Sequence, residues 1–307
     1  MPQAMPEDLA RSFVRSRYGT RATAPRPLAA GEWSRAFAFR LDGREAVIRF
    51  GTHGEDFAKD AAMGRRGGPD LPIPPVWELG DAPGGCFAVS ERRYGDALDG
   101  LDAAGMRLVL PALLRTCDAI ARVDVSASRG YGGWGPDGTA PCASWAEALL
   151  AVDAPRPRLP GWRERLDEVP EAAGAFAAAL AALRGALADL PDPGRGLIHN
   201  DLLHHNVLVD GDRITAVLDW GNAMYGDPLY DAAWLLYWWP WYPAWAGIPI
   251  RDVLDSHWEA GGGRPARQEG RLRCCLLHIG LDHLAYTAFA GRRADLLRTA
   301  AQVRGYL

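Results

Sequence analysis

The alternation of apolar and polar positions predicts a β-hairpin in the second half of the chain. Residues 207–209 and 214–218 are mostly β-branched or apolar, and Asp210-Gly211-Asp212 lies between them. Short β-branched segments joined by an Asp-Gly turn are typical of antiparallel hairpins. In such a pair, we expect Val209 opposite Ile214 and Val207 opposite Ala216.

Polar side chains gather at the open end of this hairpin. The register predicts that Asn206 lies beside Val217, with Asp219 just beyond it and Asp201 one short loop upstream. Amide and carboxylate oxygens are suitable ligands for Mg²⁺, a hard cation that shares its coordination shell with phosphate and water. Asp201 would then be available to receive a proton from a hydroxyl, which indicates phosphoryl transfer.

The patterns elsewhere predict an α+β protein with a small, β-rich N-terminal part and a larger, mainly helical C-terminal part. The N-terminal part is expected to contain a helix and three strands, over 6–18, 36–41, 46–50 and 86–90. The C-terminal part is expected to contain helices over 106–123, 171–190, 264–290 and 295–306.

We place the boundary between two lobes near Gly95, which gives an N-terminal lobe over 1–95 and a C-terminal lobe over 96–307. The segment Gly31-Glu32-Trp33-Ser34 precedes a strand, where small residues allow backbone N–H groups and the Ser34 hydroxyl to approach phosphate.

Composition limits the function classes. The chain has 307 residues, 48% hydrophobic and 23% charged content, and a net charge of −4, which is ordinary for a globular protein and gives no basic footprint for nucleic acid. The five cysteines form no metal spacing, and no apolar run reaches the length of a membrane helix. We expect a cytoplasmic protein, a monomer, with no nucleic-acid or membrane partner.

The catalytic segment as a whole resembles a known family. The spacing His199-x-Asp201-x4-Asn206, followed by a hairpin, Asp219-Trp220 and the sequence Gly-Asp-Pro-x2-Asp231, is similar to the aminoglycoside phosphotransferase and choline kinase family, relatives of the protein kinases. The resemblance implies a bilobal, protein-kinase-like fold, in which residues 1–95 form the nucleotide-binding lobe. It also implies a hinge at the end of this lobe, where backbone groups from Ser90 to Arg92 are candidates for binding the adenine edge. It also implies Mg²⁺ as the metal and ATP or GTP as the phosphoryl donor.

The same resemblance implies a role for each polar residue. Asp201 corresponds to the catalytic base, and Asn206 and Asp219 correspond to the metal ligands. We expect His199 to brace the backbone of the catalytic loop and not to move protons.

Kinases also place a cation on the third strand of the N-lobe, where it holds the nucleotide phosphates and pairs with an acid on the next helix. Of the 34 basic residues, only Lys59 is a lysine. The strand position is held by Arg49, with Asp60 as the expected partner. Lys59 is the rival cation.

Candidate acceptor-binding residues lie in and after a tryptophan-rich run. Trp238 and Trp241 offer flat faces for a sugar ring, while Asp231 and Asp282 supply negative charge for a cationic sugar. Other interpretations stay open for each. Tryptophans in this run, Trp234 above all, would pack the helical lobe, Asp231 would brace the catalytic loop, and Asp282 would be a solvated helix residue.

Within the family, the chain is most similar to hygromycin B 4-O-phosphotransferases. The similarity runs from about Gly31 to Phe289, includes Arg49, and is carried by the runs Gly31–Phe39, Leu71–Val76, Arg213–Trp220, Trp238–Trp241 and Ile279–Leu284. One departure is His204-His205 in the catalytic loop, where the family has small or turn-forming residues. These histidines would pack or hydrogen-bond, or they would reshape the acceptor pocket.

The expected function is therefore Mg²⁺-dependent phosphorylation of an aminoglycoside, most of all hygromycin B, with antibiotic resistance as its result. A kinase of the same fold acting on a macrolide, a choline-like amine or a metabolic sugar is the alternative. A catalytically silent nucleotide-binding module is the third hypothesis, and the presence of Asp201, Asn206 and Asp219 argues against it.

Overall fold

The computed structural model describes residues 5–31 and 33–307. In this part of the chain an antiparallel sheet forms the N-terminal region, and helices dominate the C-terminal region. The predicted α+β class is confirmed.

The described helices are α1 (Glu7–Tyr18), α2 (Gly54–Gly64), α3 (Ala103–Ala121), α4 (Trp145–Leu150), α5 (Trp162–Asp167), α6 (Pro170–Ala188), α7 (Leu229–Trp238), α8 (Ile250–Ala260), α9 (Gln268–Phe289) and α10 (Arg293–Arg304). Five of them, α1, α3, α6, α9 and α10, match the predicted helices to within four residues at each end. Helix α3 begins three residues before the predicted start, since the Asp102 carboxylate accepts a hydrogen bond from the Gly105 N–H at 2.8 Å.

The described strands form three antiparallel sheets. They are β1 (Arg26–Ala30), β2 (Ser34–Leu41), β3 (Arg44–Gly51), β4 (Val76–Ala82), β5 (Gly85–Glu91), β6 (Asp96–Ala97), β7 (Gly132–Gly133), β8 (Gly196–Ile198), β9 (Val207–Asp210), β10 (Arg213–Val217) and β11 (Met224–Gly226). Their orders are β1-β2-β3-β5-β4, β10-β9-β6 and β7-β11-β8.

The backbone groups into two compact units. The first comprises residues up to 119 with 135–137 and 203–223, and the second comprises 120–134, 138–202 and 224–307. The hairpin β9-β10 therefore packs with the N-terminal sheet unit, although it lies far along the chain. A lobe boundary near Gly95 stays a prediction.

The first unit has a core between α1 and the five-stranded sheet. Alternate residues of β2 and β3, such as Phe37, Phe39 and Ile48, are buried against Val14 and Tyr18 of α1. This period-two burial is what the strand pattern predicts.

The second unit is built around α9, which contacts α5, α6, α7 and α10. Among the described residues, one helix, α6, is long and apolar enough to cross a membrane. Its residues Ala172, Phe176 and Leu183 are buried, and it contacts α9 and α10, as a core helix does.

The predicted register of the hairpin is right at its first pair and wrong at its second. Val209 does lie opposite Ile214, but a bulge follows, so Val207 lies opposite Val217 and not opposite Ala216. The bulge centres on Thr215, whose hydroxyl donates a hydrogen bond to the Tyr94 carbonyl at 2.6 Å. The extra residue advances β10 by one position relative to β9.

Candidate active site

The bulge brings Asn206 closer to Asp219 along the hairpin than the sequence predicted. The Leu218 N–H donates to the Asn206 carbonyl at 2.7 Å, so Asn206 lies beside Leu218 instead of Val217. Asp219 is then the next residue on the opposite strand. The Asn206 side chain is buried and Asp219 is exposed.

Asp219 has a left-handed backbone conformation, with φ 57° and ψ 73°. Asn200, His204 and His205 also have positive φ. Non-glycine residues in this region are uncommon and often occur at functional sites. All four lie in the loop segments directly before β9 and after β10, which marks these segments as constrained.

Helix α2 holds the backbone that follows Asp219. Asp60 accepts a hydrogen bond from the Trp220 N–H at 2.8 Å. The buried Lys59 ammonium donates to the carbonyls of Gly221 at 2.8 Å and Ala223 at 3.2 Å. Two adjacent side chains of opposite charge thus fix one short segment through its own peptide groups.

The predicted pairing of Arg49 with Asp60 is confirmed. The Arg49 guanidinium donates to the Asp60 carboxylate and lies 5.0 Å from the centre of the Phe57 ring. The rival cation, Lys59, binds backbone carbonyls, which favours Arg49 as the phosphate-binding cation. That nucleotide role stays a prediction.

The donor set at the hairpin fits Mg²⁺. A Cβ added to Gly221 would lie 3.3 Å from an Asp219 carboxylate oxygen, so the glycine leaves this carboxylate uncrowded. Within residues 5–31 and 33–307, no group of three or more His, Cys, Asp and Glu side chains is arranged to hold a metal ion. Asn206 and Asp219 match a cation that needs few protein oxygens and takes the rest from phosphate and water.

The predicted phosphate-covering loop is partly described. Glu32 lies outside the described residues. Ser34 is the first residue of β2, opposite Gly51, and its carbonyl accepts from the Gly31 N–H at 3.0 Å. A tight turn therefore precedes β2, and phosphate contact by the Ser34 hydroxyl stays a prediction.

The residues at the expected hinge contact the N-terminal sheet region. The Arg92 N–H donates to the Glu45 carbonyl at 3.3 Å, and the Glu91 N–H donates to the Pro75 carbonyl at 3.1 Å. Adenine binding by backbone groups from Ser90 to Arg92 stays a prediction. Ser90, opposite Val47 in the sheet, stays a candidate.

In the second unit, Asp231 braces the catalytic loop. Its two carboxylate oxygens accept hydrogen bonds from the N–H groups of His199 and Asn200, both at 2.9 Å. Asp231 is 2% exposed. Burial raises the pKa of Asp231, and the two N–H donors and His199 oppose this shift. These contacts agree with the bracing interpretation of Asp231, and substrate contact by this residue stays a prediction.

His199 continues this bracing towards Asp201. The imidazole is fully buried, and its Nδ1 accepts a hydrogen bond from the Asp201 N–H at 3.2 Å. Because Nδ1 accepts, the proton of a neutral ring lies on Nε2. This geometry agrees with a bracing role for His199. The side chain of Asp201 is partly exposed, as a base acting on a substrate hydroxyl must be.

The Gly-Asp-Pro sequence before Asp231 organises the start of α7. Asp227 is buried, accepts from the Leu229 N–H at 2.9 Å, and forms a two-pronged ion pair with Arg271 at 2.5 and 2.8 Å. The sequence did not reveal Arg271, which lies 44 residues further along the chain. Only its surroundings in the folded chain identify it.

The two candidate tryptophans lie together. The Trp238 ring is 5.5 Å from Trp241 and 4.5 Å from His283, measured between ring centres. The Arg298 guanidinium lies 3.8 Å from the centre of Trp241, so a cation covers one face of that ring. Trp234 is buried, as the packing interpretation predicts. Sugar binding by Trp238 and Trp241 stays a prediction.

Asp282 forms an ion pair with Arg156 and is neither a free anion nor a simple solvated residue. Burial raises its pKa, but Arg156, His278 and His283 outweigh burial and lower it overall. The carboxylate is therefore ionised and half-buried. Acceptor binding by Asp282 would involve the pair and not the carboxylate alone.

Comparisons with known proteins agree with one another. The profile of the phosphotransferase enzyme family matches residues 25–271. The hygromycin-B 4-O-kinase of Escherichia coli is 34% identical over 270 residues, which cover 87% of this chain and 76% of that protein. The crystal structure of aminoglycoside phosphotransferase APH(4)-Ia matches with a TM-score of 0.85 and 30% identity, covering 98% of both chains.

A thermostable mutant of APH(4)-Ia has been crystallised as a ternary complex with AMP-PNP and hygromycin B. It matches this chain with a TM-score of 0.82 and 31% identity, covering 96% of this chain and 97% of the other. These similarities extend over both compact units.

Proposed function

Because the chain belongs to the phosphotransferase enzyme family, we propose that it transfers the γ-phosphoryl group of ATP to a hydroxyl of hygromycin B and so confers resistance. The chain has the kinase-like fold of these enzymes and is a phosphotransferase with an alcohol group as acceptor. The observation that carries the choice of acceptor is its full-length similarity to a protein crystallised with AMP-PNP and hygromycin B.

Three side chains are proposed to carry the chemistry. Asp201 accepts a hydrogen bond from the acceptor hydroxyl and takes its proton as the oxygen attacks phosphorus. Asn206 and Asp219 hold Mg²⁺, which when bound neutralises charge on the triphosphate oxygens. Arg49 binds the phosphates further from the acceptor. In a loose transition state, positioning and electrostatics contribute more than strong base catalysis.

The first prediction concerns Asp201. Asp201→Ala should lower kcat for hygromycin B by roughly 100- to 10,000-fold, the usual contribution of a positioned base. Nucleotide affinity should stay within about twofold, because the variant keeps Arg49, Asn206 and Asp219. ADP release and the mass of the phosphorylated antibiotic measure the reaction, and a fluorescent ATP analogue measures binding.

Asp210→Ala is the matched control, since Asp210 is an exposed carboxylate in the turn of the same hairpin. It should leave both quantities unchanged. Near-normal turnover of the Asp201 variant would exclude this residue as the base.

The acceptor itself is tested with the unaltered protein. Hygromycin B, other aminoglycosides, a macrolide and choline are supplied with ATP and Mg²⁺, and sensitive bacteria expressing the chain are grown on the antibiotics. Phosphorylation of hygromycin B with the highest kcat/KM supports the proposal. Preference for another acceptor by tenfold or more would contradict it.

A further inference from the structure

We propose that Asp99 is a positioning residue for the metal site, because it fixes the turn that presents Asn206. This inference rests on the proposed function for the role of Asn206. It concerns residues of the first compact unit only.

The turn before Asn206 has a conformation that its sequence does not favour. The Asn206 N–H donates to the Leu203 carbonyl at 3.2 Å and closes the turn. The two residues inside it, His204 and His205, have φ of 57° and 68°. Left-handed backbone costs a non-glycine residue free energy, even histidine, which adopts it more often than most residues. Two such residues in succession carry a combined cost that an external partner can offset.

Asp99 is that partner at His205. Its carboxylate oxygen Oδ1 accepts from the His205 backbone N–H at 3.0 Å and lies 3.2 Å from the ring Nδ1. The Asp99 side chain is 8% exposed, whereas the His205 side chain is 78% exposed. The Asp99 carboxylate is therefore buried and fixed in place, and it holds the backbone N–H of His205.

Strand pairing places Asp99 at this point. Strand β6 runs antiparallel to β9, with Asp96 opposite Val209 and Ala97 opposite Leu208. Each further residue after β6 moves one position back along β9, towards its start. A 3₁₀ turn over Leu98–Gly100 follows, and it brings Asp99 level with the residue that precedes Asn206.

Gly95 permits this close pairing. Its φ is 149°, and a Cβ there would lie 2.6 Å from the Val209 carbonyl oxygen. A side chain at position 95 would push β6 away from β9 and carry Asp99 with it.

Asn206 is thus held on both sides by the first unit. Its own carbonyl accepts from the Leu218 N–H at 2.7 Å, and the backbone N–H of the preceding residue, His205, donates to Asp99. Fixing the backbone on both sides sets the direction of the amide side chain. Asp99 acts on the metal ligand through the backbone and not by touching metal or nucleotide.

The test compares Asp99→Ala, Asp99→Asn and the wild type. Asp99→Ala should raise the Mg²⁺ concentration for half-maximal binding of a fluorescent ATP analogue roughly 5- to 20-fold, as expected for loss of a hydrogen bond to a charged acceptor. Asp99→Asn keeps a neutral acceptor and should raise it only about two- to fivefold. Should Asp99→Ala fail to fold, Asp99→Asn carries the comparison.

A second readout needs neither metal nor acceptor. Amide hydrogen exchange of residues 203–206 should speed up in Asp99→Ala in the metal-free protein.

Adding His205→Gly to Asp99→Ala should recover part of the lost Mg²⁺ affinity, since glycine adopts positive φ without strain. A merely structural role would not give this rescue.

Asp102→Ala is the matched control, because Asp102 also accepts a backbone N–H but caps α3 instead of the catalytic turn. It should leave Mg²⁺ dependence unchanged. If Asp99→Ala also leaves it unchanged while the wild type binds nucleotide in a Mg²⁺-dependent manner, this inference alone is overturned. If the wild type shows no Mg²⁺-dependent binding, the proposed metal site fails and this inference fails with it.

Discussion

Lys59 holds backbone carbonyl groups. Its ammonium group is buried and donates to the carbonyls of Gly221 and Ala223, just after the proposed metal ligand Asp219. In a chain whose other basic residues are all arginine, this position keeps a compact cation. An ammonium group directs its donors to separate carbonyls, whereas a guanidinium has a rigid planar fork.

Lys59→Met should therefore lower the free energy of unfolding by about 2–3 kcal/mol, since two carbonyls lose a charged donor. Urea denaturation measures this change. Arg15→Met, at an exposed basic residue of α1, is the control and should change stability by less than about 0.5 kcal/mol. Equal stability of the two variants would contradict the role of Lys59 as a backbone anchor.

The Gly-Asp-Pro-x2-Asp segment shows how each position of a motif meets a different physical need. A Cβ at Gly226 would lie 2.2 Å from the Trp145 ring, Asp227 caps α7 and pairs with Arg271, and Asp231 holds the loop that carries Asp201. The motif is thus mainly a packing and hydrogen-bonding unit at the start of a helix.

Gly226→Ala should destabilise the protein by about 1–3 kcal/mol, because the ring and the strand β11 must move apart. Gly174→Ala is the control. Gly174 lies within α6 with nothing near its hypothetical Cβ, so alanine there should stabilise by up to about 1 kcal/mol. Denaturant unfolding measures the free energy of unfolding of both variants. A Gly226→Ala variant as stable as the wild type would contradict the predicted clash with the Trp145 ring.

The hairpin shows how far local sequence predicts an element. Its strands and turn follow from β-branched residues around Asp210-Gly211, and its first pair, Val209 with Ile214, is as predicted. The bulge is not encoded locally, since it depends on the Thr215 hydroxyl reaching the Tyr94 carbonyl, more than a hundred residues earlier. Asp231 is a similar case, because only the folded chain places its carboxylate against the N–H groups of His199 and Asn200.

Considered over the entire chain, the fold class and the five longest described helices were predictable because they depend on the period of apolar residues. The grouping of β9-β10 with the N-terminal sheet, and the partners of Lys59, Asp99 and Asp227, depend on contacts between distant segments. Single-sequence patterns do not contain these contacts.

Buried ionisable groups should also make the stability of the protein depend on pH. His278, on α9, is buried, and its Nδ1 lies 2.8 Å from the Tyr230 hydroxyl. Burial lowers the pKa of His278 from 6.5 to about 4. The unfolded chain therefore takes up this proton at higher pH than the folded chain, and stability falls as pH drops from 6.5 towards 4.

His278 alone should remove about 2 kcal/mol of the free energy of unfolding between pH 7 and pH 5. In His278→Gln the decrease over this interval should be smaller by that amount, because glutamine does not titrate. Urea denaturation of both proteins at the two pH values measures the difference. Equal decreases in the free energy of unfolding of the two proteins would show that His278 does not cause this pH dependence.

Asp60 accepts hydrogen bonds from the Arg49 side chain and from the Trp220 backbone, which adjoins Asp219. One carboxylate therefore links the proposed phosphate-binding cation, Arg49, to the backbone beside the proposed metal ligand, Asp219, so a substitution at position 49 or 60 that suits a different nucleotide would also displace Asp219. Laboratory evolution towards a different phosphoryl donor would then be slow if residues were substituted one at a time. Libraries that vary positions 49 and 60 together should yield such variants sooner, because a shorter cation at position 49 can then pair with a longer acid at position 60.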